Sequence, residues 1–144
     1  MNVLTIGTFD RIHVGHLELL DGCRQLVGSI NGTVSVAVNR DEFVKRFKGA
    51  TPQPLEHRIE MLEALRVVDR VYVNVGDEDA SQVIDAIRPD ALAIGDDWLD
   101  PGHDERRYLA QLGITSEWLL ERGLGITYVP RTRGVSSSAL RAMA

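Results

Sequence analysis

The sequence predicts a single α/β domain built on a doubly wound parallel sheet of five strands. Three observations carry that expectation. The chain has 144 residues, enough to bury one core and too few for two. Short β-branched runs alternate with longer stretches of helical periodicity. Alternation at this spacing calls for parallel strands with helices packed on both faces of the sheet.

Val3 to Ile6 reads as the first strand. Val14 to about Val27 follows as a helix whose apolar stripe is Leu17, Leu20, Cys23, Leu26 and Val27. Thr33 to Val38 is the second strand. The stretch after it reads as an irregular loop, because Gly49, Thr51, Pro52 and Pro54 punctuate it. Pro54 suits the first turn of a helix that runs to about Val67, with Ile59, Leu62, Ala64 and Leu65 inward. Arg70 to Val75 is the third strand. Ser81 to Ile87 is a helix stopped by Pro89, and Ala91 to Ile94 is the fourth strand. Asp100 to Gly125 is the least regular part, a charge run followed by a short helix from Ser116 to Arg122. Ile126 to Val129 is the fifth strand, and a last short helix opens at Ser137.

Composition narrows the function classes. The hydrophobic share is 44% and the charged share 26%, ordinary for a globular domain. No apolar run approaches the ~20 residues that cross a bilayer. Met1 to Asp10 carry no basic segment ahead of an apolar one, so no secretion leader is expected. One cysteine, Cys23, excludes an internal disulfide framework and a cysteine-based zinc site, and fits a reducing, cytoplasmic setting. The net charge of −5 disfavours a nucleic-acid partner. A small anionic ligand remains compatible if positive charge is local. Fourteen of the sixteen basic residues are arginine, and the two lysines, Lys45 and Lys48, sit almost side by side.

Sheets of this class bind ligands beyond the carboxyl ends of their strands, where strand order reverses. After the first strand comes Gly7-Thr8-Phe9-Asp10-Arg11-Ile12-His13-Val14-Gly15-His16. Here Gly7 is expected to turn the backbone tightly and Gly15 to let a ligand approach the helix. The bare N–H groups of a helix start favour phosphate, and His13 and His16, three residues apart, share one side of it. After the second strand, Lys45 and Lys48 can reach phosphate as point charges, ahead of Glu56-His57-Arg58. Arg58 and Arg66, eight residues apart on one helix, can share a face. After the fourth strand, Gly95-Asp96-Asp97-Trp98 offers carboxylates and a flat aromatic wall to a base. After the fifth, Arg131 and the run Ser136-Ser137-Ser138 offer a guanidinium fork, hydroxyls and free amides to phosphate oxygens.

Taken together, Gly-Thr-Phe-Asp with His-x-Gly-His closely resembles the signature of the cytidylyltransferase-like nucleotidyltransferases. The lysine segment resembles the family's Lys-Gly loop before Glu-x-Arg, and Arg131-Thr-Arg-Gly-Val-Ser-Ser-Ser138 resembles its Arg-Thr-x-Gly-Ile-Ser-Thr-Thr motif. Gly-Asp-Asp-Trp is similar to the matching loop of glycerol-3-phosphate cytidylyltransferases. The resemblance covers nearly the whole chain and implies a Rossmann-like fold.

It also implies transfer of CMP from CTP to a phosphorylated polyol, with release of pyrophosphate and Mg²⁺ accompanying the triphosphate. The region Val44 to Leu65 with Arg88-Pro89-Asp90 also looks like sugar-phosphate adenylyltransferases, so ATP with a sugar phosphate is the alternative. A non-catalytic nucleotide-binding module is a third. By this match His13, His16, Lys48 and Arg131 are the catalytic residues. Gly7, Thr8, Phe9, Asp10, Gly15, Gly95, Asp97, Trp98, Ser136 and Ser137 bind the nucleotide. Lys45, Arg58 and Arg66 bind the acceptor. No residue is assigned as a metal ligand. Relatives are commonly homodimers. The segment 99–124 is longer than in the glycerol-3-phosphate enzymes and adjoins the acceptor pocket.

Overall fold

A computed structural model of the chain describes residues 1–28, 30–49, 52–95 and 106–130. Its elements run β1 (Asn2–Gly7), α1 (Val14–Val27), β2 (Thr33–Asn39), α2 (Asp41–Lys48), α3 (Leu55–Glu63), β3 (Arg70–Asn74), α4 (Ser81–Ile87), β4 (Ala91–Gly95), α5 (Arg106–Leu112), α6 (Ser116–Glu121) and β5 (Gly125–Val129). All strand pairs are parallel, in the order β3-β2-β1-β4-β5. The expected five-stranded doubly wound sheet is therefore present.

The strands alternate their side chains between two apolar layers. Val3, Val34, Ala91, Ala93 and Val129 meet Leu19, Cys23 and Val27 of α1, while Val36 and Val38 meet Leu20 of α1 and Leu62 of α3. On the opposite face, Leu4, Ile6, Ala37, Leu92 and Ile94 pack under Val83 and Ile84 of α4, Tyr108, Leu109 and Leu112 of α5, and Leu119 of α6. The buried stripe of α1 is thus centred on Leu20 and Cys23. Leu17 and Leu26, expected inward, are exposed. Helix α1 lies so close to β5 that a Cβ on Gly22 would stand 2.4 Å from Val129 Cγ1.

Three local expectations are corrected. The lysine segment is helical, not an open loop: Asp41 and Glu42 favour the helix start, Phe43 and Val44 are buried, and Gly49 ends it with φ +67°. Helix α3 stops at Glu63, with Ala64 as its cap, so Arg66 lies beyond it and shares no helix face with Arg58. Within the irregular 100–125 segment, α5 and α6 cover the sheet face beside β4 and bury Tyr108, Leu109, Leu112 and Leu119 in the main apolar cluster.

Candidate active site

The β1–α1 connection starts at the carboxyl end of the sheet's middle strand. Gly7 is still in β1. The tight turn expected there falls instead on Phe9 (φ +53°) and Arg11 (φ +52°), two non-glycine residues in the left-handed region. Such conformations carry local strain and persist only where surroundings enforce them. Burial of the Phe9 ring among Leu20, Val36, Val38 and Leu62 supplies part of that enforcement.

His13 caps α1. The Gly15 N–H donates to His13 Nδ1 at 3.0 Å, and the His13 N–H donates to His16 Nδ1 at 3.2 Å. This is the reciprocal arrangement of a capping box with imidazoles in place of the usual hydroxyl and carboxylate. A nitrogen that accepts an N–H cannot carry a proton, so in each neutral ring the proton resides on Nε2. The cap thus fixes both tautomers and makes each Nε2 a donor. The rings stack at 4.0 Å between centroids, and Phe9 lies 5.4 Å from His16.

Beneath this turn lies Arg58, fully buried. Its guanidinium donates to the carbonyls of Thr8 (2.9 Å), Asn39 (2.7 Å) and Gln53 (2.8 Å), and to Asp41 Oδ1 (2.5 Å). Those partners sit at the end of β1, the end of β2, the segment before α3, and the first turn of α2. The expectation that Arg58 contacts an acceptor is corrected accordingly. Its donors are committed to protein oxygens, and the side chain is sealed from solvent. Asp10 is likewise engaged: its Oδ1 accepts the Gln53 N–H at 2.8 Å, while Gln53 Oε1 accepts the Arg11 N–H at 2.8 Å.

A second polar group anchors α2 from its outer side. Asn39 donates to Thr8 Oγ1 at 3.3 Å, and Asn74 donates to Asn39 Oδ1 at 3.1 Å and to the Asp77 carbonyl at 3.2 Å. The Asp77 carboxylate, largely buried, accepts from Arg40 and Arg46, and Arg46 also reaches Glu78 at 2.8 Å. Hydrogen bonding from Arg40 holds the Asp77 carboxyl below the usual aspartate range, and Arg46 adds to it. Arg46 likewise lowers Glu78. Lys45 is exposed on the same helix, and the backbone of Lys48 forms its last residue. Arg66 is exposed in the turn after α3.

Gly95 ends β4, the neighbour of β1. Pairing between these strands is confined to Val3↔Ala91 and Leu4↔Leu92, leaving Thr5–Gly7 and Ala93–Gly95 beyond it. This is where strand order reverses, the position at which sheets of this class take their ligands. The structure therefore gathers Gly7, Thr8, Phe9, Asp10, His13, Gly15 and His16 at one strand end, with Gly95 alongside. The side chain of Lys48, and Asp97, Trp98, Arg131, Ser136 and Ser137, lie outside the described residues.

Among the described residues, no three His, Cys, Asp or Glu side chains converge to hold a metal. The residues that sequence reasoning missed are Gln53, Asn39, Asp41 and Asp77. Asp41 carried a signal, as an acidic residue directly after a strand and before Phe43-Val44. Gln53 carried none.

A family model described as cytidylyltransferase-like matches residues 4–143. The FAD synthase of Korarchaeum cryptofilum is 35% identical over 142 residues, spanning 96% of this chain and 87% of its own. The glycerol-3-phosphate cytidylyltransferase of Bacillus subtilis is 31% identical over 139 residues, spanning 96% and 93%. A solved lipopolysaccharide core biosynthesis protein from Thermoplasma volcanium superposes with TM-score 0.64 at 24% identity, over 92% of this chain and 96% of that one, and attests the fold.

Proposed function

Because the chain belongs to the cytidylyltransferase-like family of nucleotidyltransferases, we propose that it transfers CMP from CTP to a phosphorylated polyol such as glycerol 3-phosphate. The observation that carries the chemistry is the histidine pair. Two imidazoles, each locked as an Nε2–H donor, stand at the start of α1, beyond the carboxyl end of the sheet's middle strand.

In this reading an acceptor phosphate oxygen attacks the α-phosphorus of the nucleotide. The new P–O bond forms as the bond to the β-phosphate bridging oxygen breaks, and pyrophosphate carries away that electron pair. No protein nucleophile is needed, because such transfers rest on positioning and charge stabilisation. His13 and His16 donate Nε2–H to phosphate oxygens, and Lys48 places its ammonium at the α-phosphate. Arg131, Ser136 and Ser137 take the β- and γ-phosphates. Gly95, Asp97 and Trp98 form the base pocket. Lys45 and Arg66 receive the acceptor phosphate. Mg²⁺ is expected to arrive with the triphosphate and neutralise part of its charge. The assembly proposed is a homodimer.

A second reading is AMP transfer from ATP to a flavin phosphate, favoured by the FAD synthases among the relatives at 33% to 37% identity. The acceptor is again a phosphate ester, so the same groups serve. Pyrophosphate release measured over four nucleoside triphosphates against glycerol 3-phosphate, FMN and several sugar phosphates separates the two. CTP with a polyol phosphate is the expected pair. ATP with FMN as the preferred pair would replace it with the second reading, and silence across the grid would reject both.

A further inference from the structure

We infer that Gln53 is a positioning residue for nucleotidyl transfer: it holds the strained β1–α1 turn in the one shape that sets the two histidine rings. The inference rests on the reaction proposed above. Three hydrogen bonds, all at 2.8 Å, radiate from this residue. Its side-chain Oε1 accepts the Arg11 N–H, its own N–H donates to Asp10 Oδ1, and its carbonyl accepts Arg58 Nε. Two of the three bonds therefore end on the turn, and the third ends on the buried guanidinium that also holds the Thr8 carbonyl.

Arg11 is the point of greatest leverage. It stands in the left-handed region at φ +52°, without the glycine that would make this easy, two residues ahead of the cap His13. An acceptor fixed on the N–H of a residue in that conformation helps to hold it there. Among the described residues that acceptor is the Gln53 amide oxygen. Gln53 also stands between α2, which bears both lysines, and α3, which bears Arg58. Its side chain thus ties the connection that leads into α3 to the histidine-bearing turn. Displacing reacting groups by about 1 Å is enough to cost orders of magnitude in rate, so a small shift here has a large readout.

The test compares Gln53→Met, which keeps the backbone bonds and chain length but removes the acceptor, with Gln53→Glu, which restores it. We expect Gln53→Met to lower kcat by roughly tenfold with the nucleotide KM within about twofold, since the donors remain but are misplaced. Gln53→Glu should recover most of that loss. Amide hydrogen exchange at Arg11 and His13 should quicken in Gln53→Met and return to wild-type rates in Gln53→Glu. An unchanged kcat in Gln53→Met, or an equal loss in both variants, overturns the inference while leaving the reaction intact. If wild-type protein releases no pyrophosphate in any pairing, the proposed reaction fails. The exchange comparison then decides alone, and unaltered protection at Arg11 and His13 in Gln53→Met overturns the positioning role.

Discussion

His16 serves α1 twice with one ring. Its Nδ1 caps the His13 N–H, and in the proposed reaction its Nε2–H donates to a phosphate oxygen. The two jobs can be separated, because glutamine at this third helical position also makes a capping box. His16→Gln is expected to keep thermal stability close to wild type while kcat falls by ~10²–10³, the usual cost of one lost transition-state donor. His16→Ala should lose both. A melting curve and a pyrophosphate assay on the two variants together check this. Arg58 makes the opposite case, a cation with a purely internal role. Arg58→Met leaves Asp41 and three carbonyls without their donor, and each acceptor left unsatisfied out of reach of water costs about 1–3 kcal/mol. Urea unfolding measures it directly. Sequence reading placed Arg58 among acceptor contacts because it matched a family motif. Nothing local to Glu56-His57-Arg58 could disclose that three distant carbonyls converge on that guanidinium. The histidine pair was legible for the converse reason: a strand, glycines and a helix start lie within one short stretch.

At the scale of elements, α2 departs furthest from what its residues suggest. One glycine, Gly49, a lysine pair and two prolines suggest a loop, yet Phe43, Val44 and Phe47 have helical spacing and Asp41-Glu42 favour a helix start. The five strands were legible because buried parallel strands read as compact apolar runs. Helix α5 was not, because Tyr108, Leu109 and Leu112 hide behind a dense charge run. The anchoring of α2 through Asp77 has a pH consequence. Its carboxyl is held below the usual value, mainly by Arg40, so its contribution is complete above the ordinary aspartate pKa of ~3.9 and disappears as pH falls through the lower folded-state value. Asp77→Asn should be less stable than wild type at pH 7, and its stability should decline less steeply between about pH 4 and the acid limit. Urea midpoints across that range check the sign. Helix α1 makes a steric prediction. Gly22→Ala places a methyl 2.4 Å from Val129 Cγ1 and should cost about 1–3 kcal/mol through overpacking. Gly22→Ala with Val129→Ala should cost less than the two single changes summed, because the second makes room for the first.

For the whole molecule, chain order and spatial order are out of step. Strand β1 is the first made and the most central, flanked by β2 on one side and β4 on the other. A ribosome delivers β2 soon after β1, but Ala91 and Leu92, the partners of Val3 and Leu4, only much later. Until then the middle of the sheet has a bare, apolar edge, the kind of surface that recruits strands from other chains. Slow decoding or a truncation ahead of β4 would therefore leave a nascent chain sticky at its very first strand, and helper proteins that shield such edges should matter most for the half-made polypeptide.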